Sequence, residues 1–158
     1  MKRACIAIVD ASRARLYAYQ HDAGEHPNEQ LREVVNFTNP ARQQRPSELF
    51  STTGARSSPL EDPIDGHDER PDLDFAMRIV SEIDRTVREY AFAHVILVAS
   101  PKMLGDLRQV DAVLHRPDLI LDEIPRDLAR LTSPQLHDHL ARLKLIAPRA
   151  RLAFAQRP

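Results

Sequence analysis

Three strand ends in this chain carry residue types that could do chemistry. Residues 4–9 (ACIAIV) are continuously apolar and stop at Asp10, with Ser12 and Arg13 just beyond. A second apolar run, HVILVA at 94–99, stops at Ser100, Pro101 and Lys102. A third, LILDEI at 119–124, is followed by Pro125, Arg126 and Asp127. An acid at the first strand end and Glu82 on a later helix would suit a metal-dependent nuclease, in which carboxylates hold two divalent ions about 4 Å apart. The second strand end supplies no acid, however, and two carboxylates alone hold hard cations poorly. Asp10 is therefore expected to be a turn residue whose side chain accepts nearby backbone N–H groups.

An anion is the other chemistry these residues could serve. Ser100 and Pro101 form an N-cap and N1 pair, so a helix should open there. Its free N–H groups and positive dipole end favour negative charge. Lys102 lies in that first turn, Arg13 on the neighbouring hairpin, and Arg126 and Asp127 after the last strand. If Asp10, Ser12, Arg13, Ser100, Lys102, Arg126 and Asp127 converge, they form a phosphate or carboxylate site. If they do not, they are solvated charges and ordinary caps.

Other chemistries find less support. His137 and His139 are two apart on a predicted helix and diverge. His21, His26 and His67 have no Cys or His at zinc-ligand spacing. All are expected at the surface, and no metal or cofactor is expected. Ser100 lacks a G-x-S-x-G elbow, and neither the P-loop nor the dinucleotide glycine pattern occurs.

The elements that must position these residues follow from periodicity. Residues 14–20 and 30–37 are extended segments after 4–9, giving an antiparallel meander. From Pro71, Ala76, Ile79, Val80, Ile83, Val87 and Tyr90 recur at three- and four-residue steps and form one face of a long helix. A buried strand at 94–99, a helix over 101–115, a strand at 119–124 and a helix opening at Ser133-Pro134 complete the order β-β-β-α-β-α-β-α. That order predicts an α/β (α+β) mixed sheet with helices packed on it, close to the ribonuclease H-like arrangement. Right-handed crossovers would bring Asp10 near Ser100. Residues 39–70 carry no hydrophobic period and four prolines, so they read as a long loop, either a linker or a binding element.

A chain of 158 residues fits one domain, here 1–147, with a basic tail at 148–158 that is expected to be loosely held. Its 42% apolar content is that of a globular protein. A net charge of −1 excludes a surface that is basic throughout. Charge is nevertheless segregated: 61–74 is dominated by acids, and 141–158 carries Arg142, Lys144, Arg149, Arg151 and Arg157 without any. The single cysteine, Cys5, lies inside the first apolar run and is expected to be a buried small hydrophobe. No intrachain disulfide is possible, the first apolar run is too short for a signal-peptide core, and no stretch has the length of a membrane span. A cytoplasmic location with no membrane partner is expected.

Three segments then carry a family resemblance. VDASRARLY at 9–17 resembles the D-x-S-R-A-R-L-F opening of the bacterial host-attachment protein family, named for proteins required for attachment to host cells. VILVASPKMLGDLR at 95–108 is similar to its LVLVAPPRFLGxLR segment. EIPRDLARLT at 123–132 resembles its E-I-x-K-D-L-T-x-L element, with Arg126 where lysine is usual, a change that keeps charge and alters hydrogen-bond geometry. The resemblance implies a fold like the central domain of archaeo-eukaryotic peptide-release factors. Those factors hydrolyse peptidyl-tRNA with a Gly-Gly-Gln loop, whereas the comparable long loop here offers only Thr53-Gly54-Ala55-Arg56. The resemblance thus implies a non-enzymatic binding protein for RNA, the ribosome or a protein partner. The alternative is a release-factor-like hydrolase of peptidyl-tRNA or nucleic-acid esters.

Overall fold

In the computed structural model, which describes residues 3–21, 30–42 and 71–149, the first apolar run is the central strand β1 (Arg3–Val9). It turns through Asp10–Ser12 into β2 (Arg13–Gln20), and β3 (Leu31–Thr38) pairs on the far side of β2, both antiparallel. Helix α1 (Pro71–Tyr90) leads to β4 (His94–Ala99), which pairs parallel to β1. Helix α2 (Pro101–Arg108) leads to β5 (Ile120–Pro125), parallel to β4, and α3 (Ser133–Arg142) follows. The protein is a mixed α/β fold whose five-stranded sheet has the order β3-β2-β1-β4-β5. Both parallel pairings enclose a helix, as a parallel crossover requires.

The unbroken apolar character of β1 and β4 follows from cover on both faces. Cys5, Ala7 and Val9 meet Val95, Leu97, Ile79, Ile83, Leu104 and Leu107 beneath α1 and α2. Ala4, Ile6 and Ile8 point the other way, to Tyr17, Tyr19, Ile96, Leu136 and Leu140 beneath α3. Parallel pairing of Ile8 with Val98 and of Val98 with Ile124 aligns the three strand ends, so that Asp10, Ser100 and Arg126 continue one row at the same edge of the sheet.

The helix expected over 101–115 stops at Arg108. Gln109 and Val110 donate to Asp106 and Leu107, three residues back, and this tightening ends the α ladder. A separate 3₁₀ turn at Ala112–Leu114 then carries Leu114 into the core. The start of α3 also differs by one residue. Thr132 rather than Ser133 is the N-cap, and a capping box with Gln135 makes the difference, because each residue satisfies the other's backbone N–H.

One expectation about the histidines is corrected. His137 is 1% exposed: its position on α3 turns it onto the edge of the Tyr19 ring, and its Nε2 bonds the Ala147 carbonyl at 2.9 Å. The Tyr19 hydroxyl in turn accepts the Ala147 N–H at 3.1 Å. These contacts hold the chain after α3 against the sheet. Of the long loop, only its first residues are described: Asn39 is buried and Pro40–Arg42 form a 3₁₀ turn. Arg42 makes a bidentate pair with Asp72, at 2.9 Å and 3.1 Å. Residues 43–70, with Arg45, Arg56 and His67, lie outside the described residues, as do His26 and the tail from 150.

Candidate anion-binding cleft

The strand ends are built from backbone satisfaction first. Asp10 Oδ1 accepts the N–H groups of Ser12 at 2.8 Å and Arg13 at 2.7 Å, and the Asp10 N–H donates to the Arg13 carbonyl. The Asx turn expected of Asp10 is therefore present. Asn39 braces it from outside, with its N–H on the Ser12 carbonyl and its amide on the Ala11 carbonyl. This leaves Ser12 and Arg13 exposed at the tip.

Alternation along β2 puts Ala14 and Leu16 in one core, and Tyr17 and Tyr19 in the other. Arg13 and Arg15 share the tyrosine face. On β3 the register shifts between the partners of Leu16 and Tyr17, so that Val34 is the extra residue of a bulge. The bulge brings Glu33 and Asn36, three apart in sequence, to the same face. A relay follows: Arg15 Nε donates to Glu33 Oε1 at 3.1 Å, Asn36 Nδ2 to Glu33 Oε2 at 2.9 Å, and Arg13 Nε to Asn36 Oδ1 at 3.0 Å. Burial alone would raise the Glu33 pKa, but the hydrogen bonds from Asn36 and Arg15 outweigh it and hold the carboxyl below its ordinary range.

Across from this face lies the connection between β5 and α3. Arg15 Nη1 bonds the carbonyls of Ala129 at 3.1 Å and Leu131 at 3.0 Å, fixing that segment against the sheet. Between them is an open cleft of about 640 Å³. Arg13, Arg15 and Arg130 line it against Asp10 and Glu33, with Thr132 bringing the start of α3 to its edge. Three cations face two acids, one of which is occupied by two backbone donors and the other by Arg15 and Asn36. Behind Arg15, whose guanidinium stands 5.4 Å over the ring, Tyr17 is fully buried. Among the described residues its hydroxyl has no hydrogen-bond partner at good geometry. Burial pushes its pKa up, while Ser133, Arg15 and Glu33 are near enough to act on it.

The structure divides the residues singled out from sequence. Asp10, Ser12 and Arg13 line the cleft. Ser100 caps α2, accepting the Met103 N–H at 3.3 Å. Lys102 turns to Asp106 at 3.3 Å, in a separate recess of about 280 Å³ with Asp72 and Gln109. Arg126 is exposed at the end of β5, its N–H donating to the Ile124 carbonyl, and Asp127 Oδ1 accepts the Ala129 N–H at 3.5 Å. Neither reaches the cleft lining. Glu82 is paired with Arg85 on α1, at 2.8 Å. Among the described residues no group of three His, Cys, Asp or Glu side chains could hold a metal ion. His94 and His115 each meet one acid, Asp122 at 2.6 Å and Asp111 at 3.0 Å. No helix among the described residues is long and apolar enough to cross a membrane.

Arg15, Glu33, Asn36, Arg130 and Thr132 were not apparent as site residues from sequence. The two-residue spacing of Arg13 and Arg15 on a strand was the available signal for a shared face. The bulge that delivers Glu33 and Asn36 had none.

A family model described as "Protein required for attachment to host cells" matches residues 5–140. No curated protein matches the chain. Among solved structures, two of the Ppx/GppA phosphatase of Aquifex aeolicus align at 12% identity, with TM-scores of 0.36 and 0.40. Each alignment covers 78% of this chain and 36% of the other, so the chain spans about a third of the length of those structures.

Proposed function

The chain belongs to the family of proteins required for attachment to host cells, and we propose that it is a cytoplasmic, non-enzymatic binding protein that holds the phosphate backbone of RNA in the cleft between the β1–β2 turn and α3. The observation that carries this reading is the convergence of Arg13, Arg15 and Arg130 on one opening beside the start of a helix. Arg15 is spent on Glu33 and two carbonyls, whereas among the described residues Arg13 commits only its Nε, and the rest of its fork is offered to an incoming oxyanion. The dipole of α3 adds to the same potential. Asp10 supports a binding role over a catalytic one, since its carboxylate already serves two backbone donors. The strand order supports the ribonuclease H-like, release-factor-like reading of the sheet.

The test is fluorescence-anisotropy titration of labelled single-stranded RNA at several salt concentrations. Withdrawing two phosphate-binding cations with Arg13→Ala and Arg130→Ala together should lower affinity at least tenfold. The dependence of log affinity on log salt should fall by about 0.7 for each phosphate left without its cation. No binding at low ionic strength, or an unchanged double variant, overturns the reading. The same samples run on a gel report the nucleic-acid arm of the alternative, because phosphodiester hydrolysis would shorten the RNA. The peptidyl-tRNA arm is read with an acylated tRNA, from which ester hydrolysis releases the acyl group.

A further inference from the structure

We infer that the cleft selects ribose over deoxyribose, accepting a 2′-hydroxyl at Glu33 beside a phosphate held by Arg13 and Arg130. This rests on the cleft being an RNA site and adds what that site reads.

Glu33 lines the cleft with 32% of its side chain exposed, a carboxylate that anchors Arg15 and Asn36 and that a phosphate would not itself engage. Oε1 receives Arg15 and Oε2 receives Asn36, one donor each. A carboxylate oxygen offers two lone-pair sites, so acceptor capacity remains on both. A phosphodiester brings no donor to fill it, whereas a ribose 2′-hydroxyl does.

The spacing suits that pairing. Asn36 bonds Arg13 through Oδ1 and Glu33 through Nδ2, at 3.0 Å and 2.9 Å. One side-chain amide thus bridges the cation and the acceptor, with one hydrogen bond on each side of it. In RNA the 2′-hydroxyl and the 3′-phosphate leave adjacent carbons of one sugar, so a phosphate on Arg13 places its own hydroxyl toward the neighbouring carboxylate.

The wall behind Glu33 belongs to the same corner. The Tyr17 hydroxyl is fully buried there with no hydrogen-bond partner at good geometry among the described residues, while Glu33 and Ser133 lie near enough to act on it. It adjoins the carboxylate to which the sugar would donate, at the end of the cleft where α3 begins.

Three labelled single strands of one sequence decide the matter: RNA, DNA and 2′-O-methyl RNA, titrated against the intact protein at one salt concentration. RNA should bind about tenfold tighter than DNA, as expected for one hydrogen bond to a charged acceptor. The 2′-O-methyl strand, which keeps the RNA backbone and lacks the donor, should fall to the level of DNA. Glu33→Gln should bring RNA to within about threefold of DNA, the ratio of the two affinities being the readout, provided circular dichroism shows a native fold. Equal affinity for RNA and DNA, or full affinity for the 2′-O-methyl strand, overturns the inference and leaves the phosphate reading standing. Absence of binding to all three overturns both. The 2′-O-methyl comparison needs no variant and is decisive even if Glu33→Gln fails to fold.

Discussion

Arg15 on β2 donates to the carbonyl of Leu131, 116 positions further along the chain, at 3.0 Å. The same guanidinium bonds the Ala129 carbonyl and Glu33. One strand residue therefore holds the wall of the cleft that precedes α3 and fixes the acid on its opposite side. Carbonyls in such a connection have no ladder to join, so without Arg15 they would be left short of donors in a part-buried setting.

Replacing Arg15 with Met should cost about 2 kcal/mol, since its side chain is only 13% exposed and three acceptors lose their donor together. For a chain of this size that is a fall in Tm of about 4–8 °C. Arg15→Lys should not restore it, because an ammonium is a point donor and cannot span acceptors on two segments. Thermal unfolding of both variants checks this, and a Lys variant as stable as the parent would count against the bracing role.

The sheet was legible because its signals are local. The unbroken apolar runs of β1 and β4 announce strands covered on both faces, and Ser100-Pro101 announces the start of α2. The cleft was half legible. Asp10, Ser12 and Arg13 were found because a turn concentrates polar residues beside an apolar strand. Glu33 and Asn36 were hidden by a bulge, which breaks the two-residue period that sequence reading depends on. Arg130 and Thr132 reach the site only through the path of the chain after β5, set by the long-range bonds of Arg15. Lys102 was misleading for a related reason: proximity to a strand end says nothing of which side of the helix a side chain takes, and Asp106 one turn on holds it away.

Asp10→Ala should cost about 1 kcal/mol, the scale of a lost side-chain cap on two backbone donors. Asp10→Asn should retain most of that stability, because the amide oxygen can accept the same two N–H groups. Chemical denaturation separates the two substitutions. If Asn proves as damaging as Ala, charge rather than turn geometry is what Asp10 supplies.

Cys5 is fully buried beneath α1, and burial pushes its thiol pKa up to about 12. The thiolate needed for reaction is then almost absent near neutral pH. A thiol reagent should label the native protein only at the rate of unfolding and label the denatured protein at once. Fast stoichiometric labelling under native conditions would contradict the placement of β1 at the centre of the sheet.

Acidification should act first through His137. Burial lowers its pKa, opposed by its bond to Ala147 and the charge of Asp138, with Arg149 adding to the lowering. The folded protein therefore takes up this proton less readily than the unfolded chain, whose imidazole titrates near 6.5. Above about pH 6.5 both states are neutral there and stability is unaffected. As pH falls from 6.5 toward the lower folded value, the unfolded chain gains a proton first and stability declines. Asp138 comes later: its bidentate pair with Arg149, at 2.7 Å and 3.0 Å, lowers its pKa, so its contribution is full above its ordinary 3.8 and is lost as pH falls through the folded value. Denaturation midpoints measured from pH 8 to pH 4.5 should show the decline beginning near 6.5. In His137→Gln, whose amide can still donate to the Ala147 carbonyl, that step should disappear. A wild-type profile flat down to pH 4.5 would show that the imidazole is free to charge in the folded state.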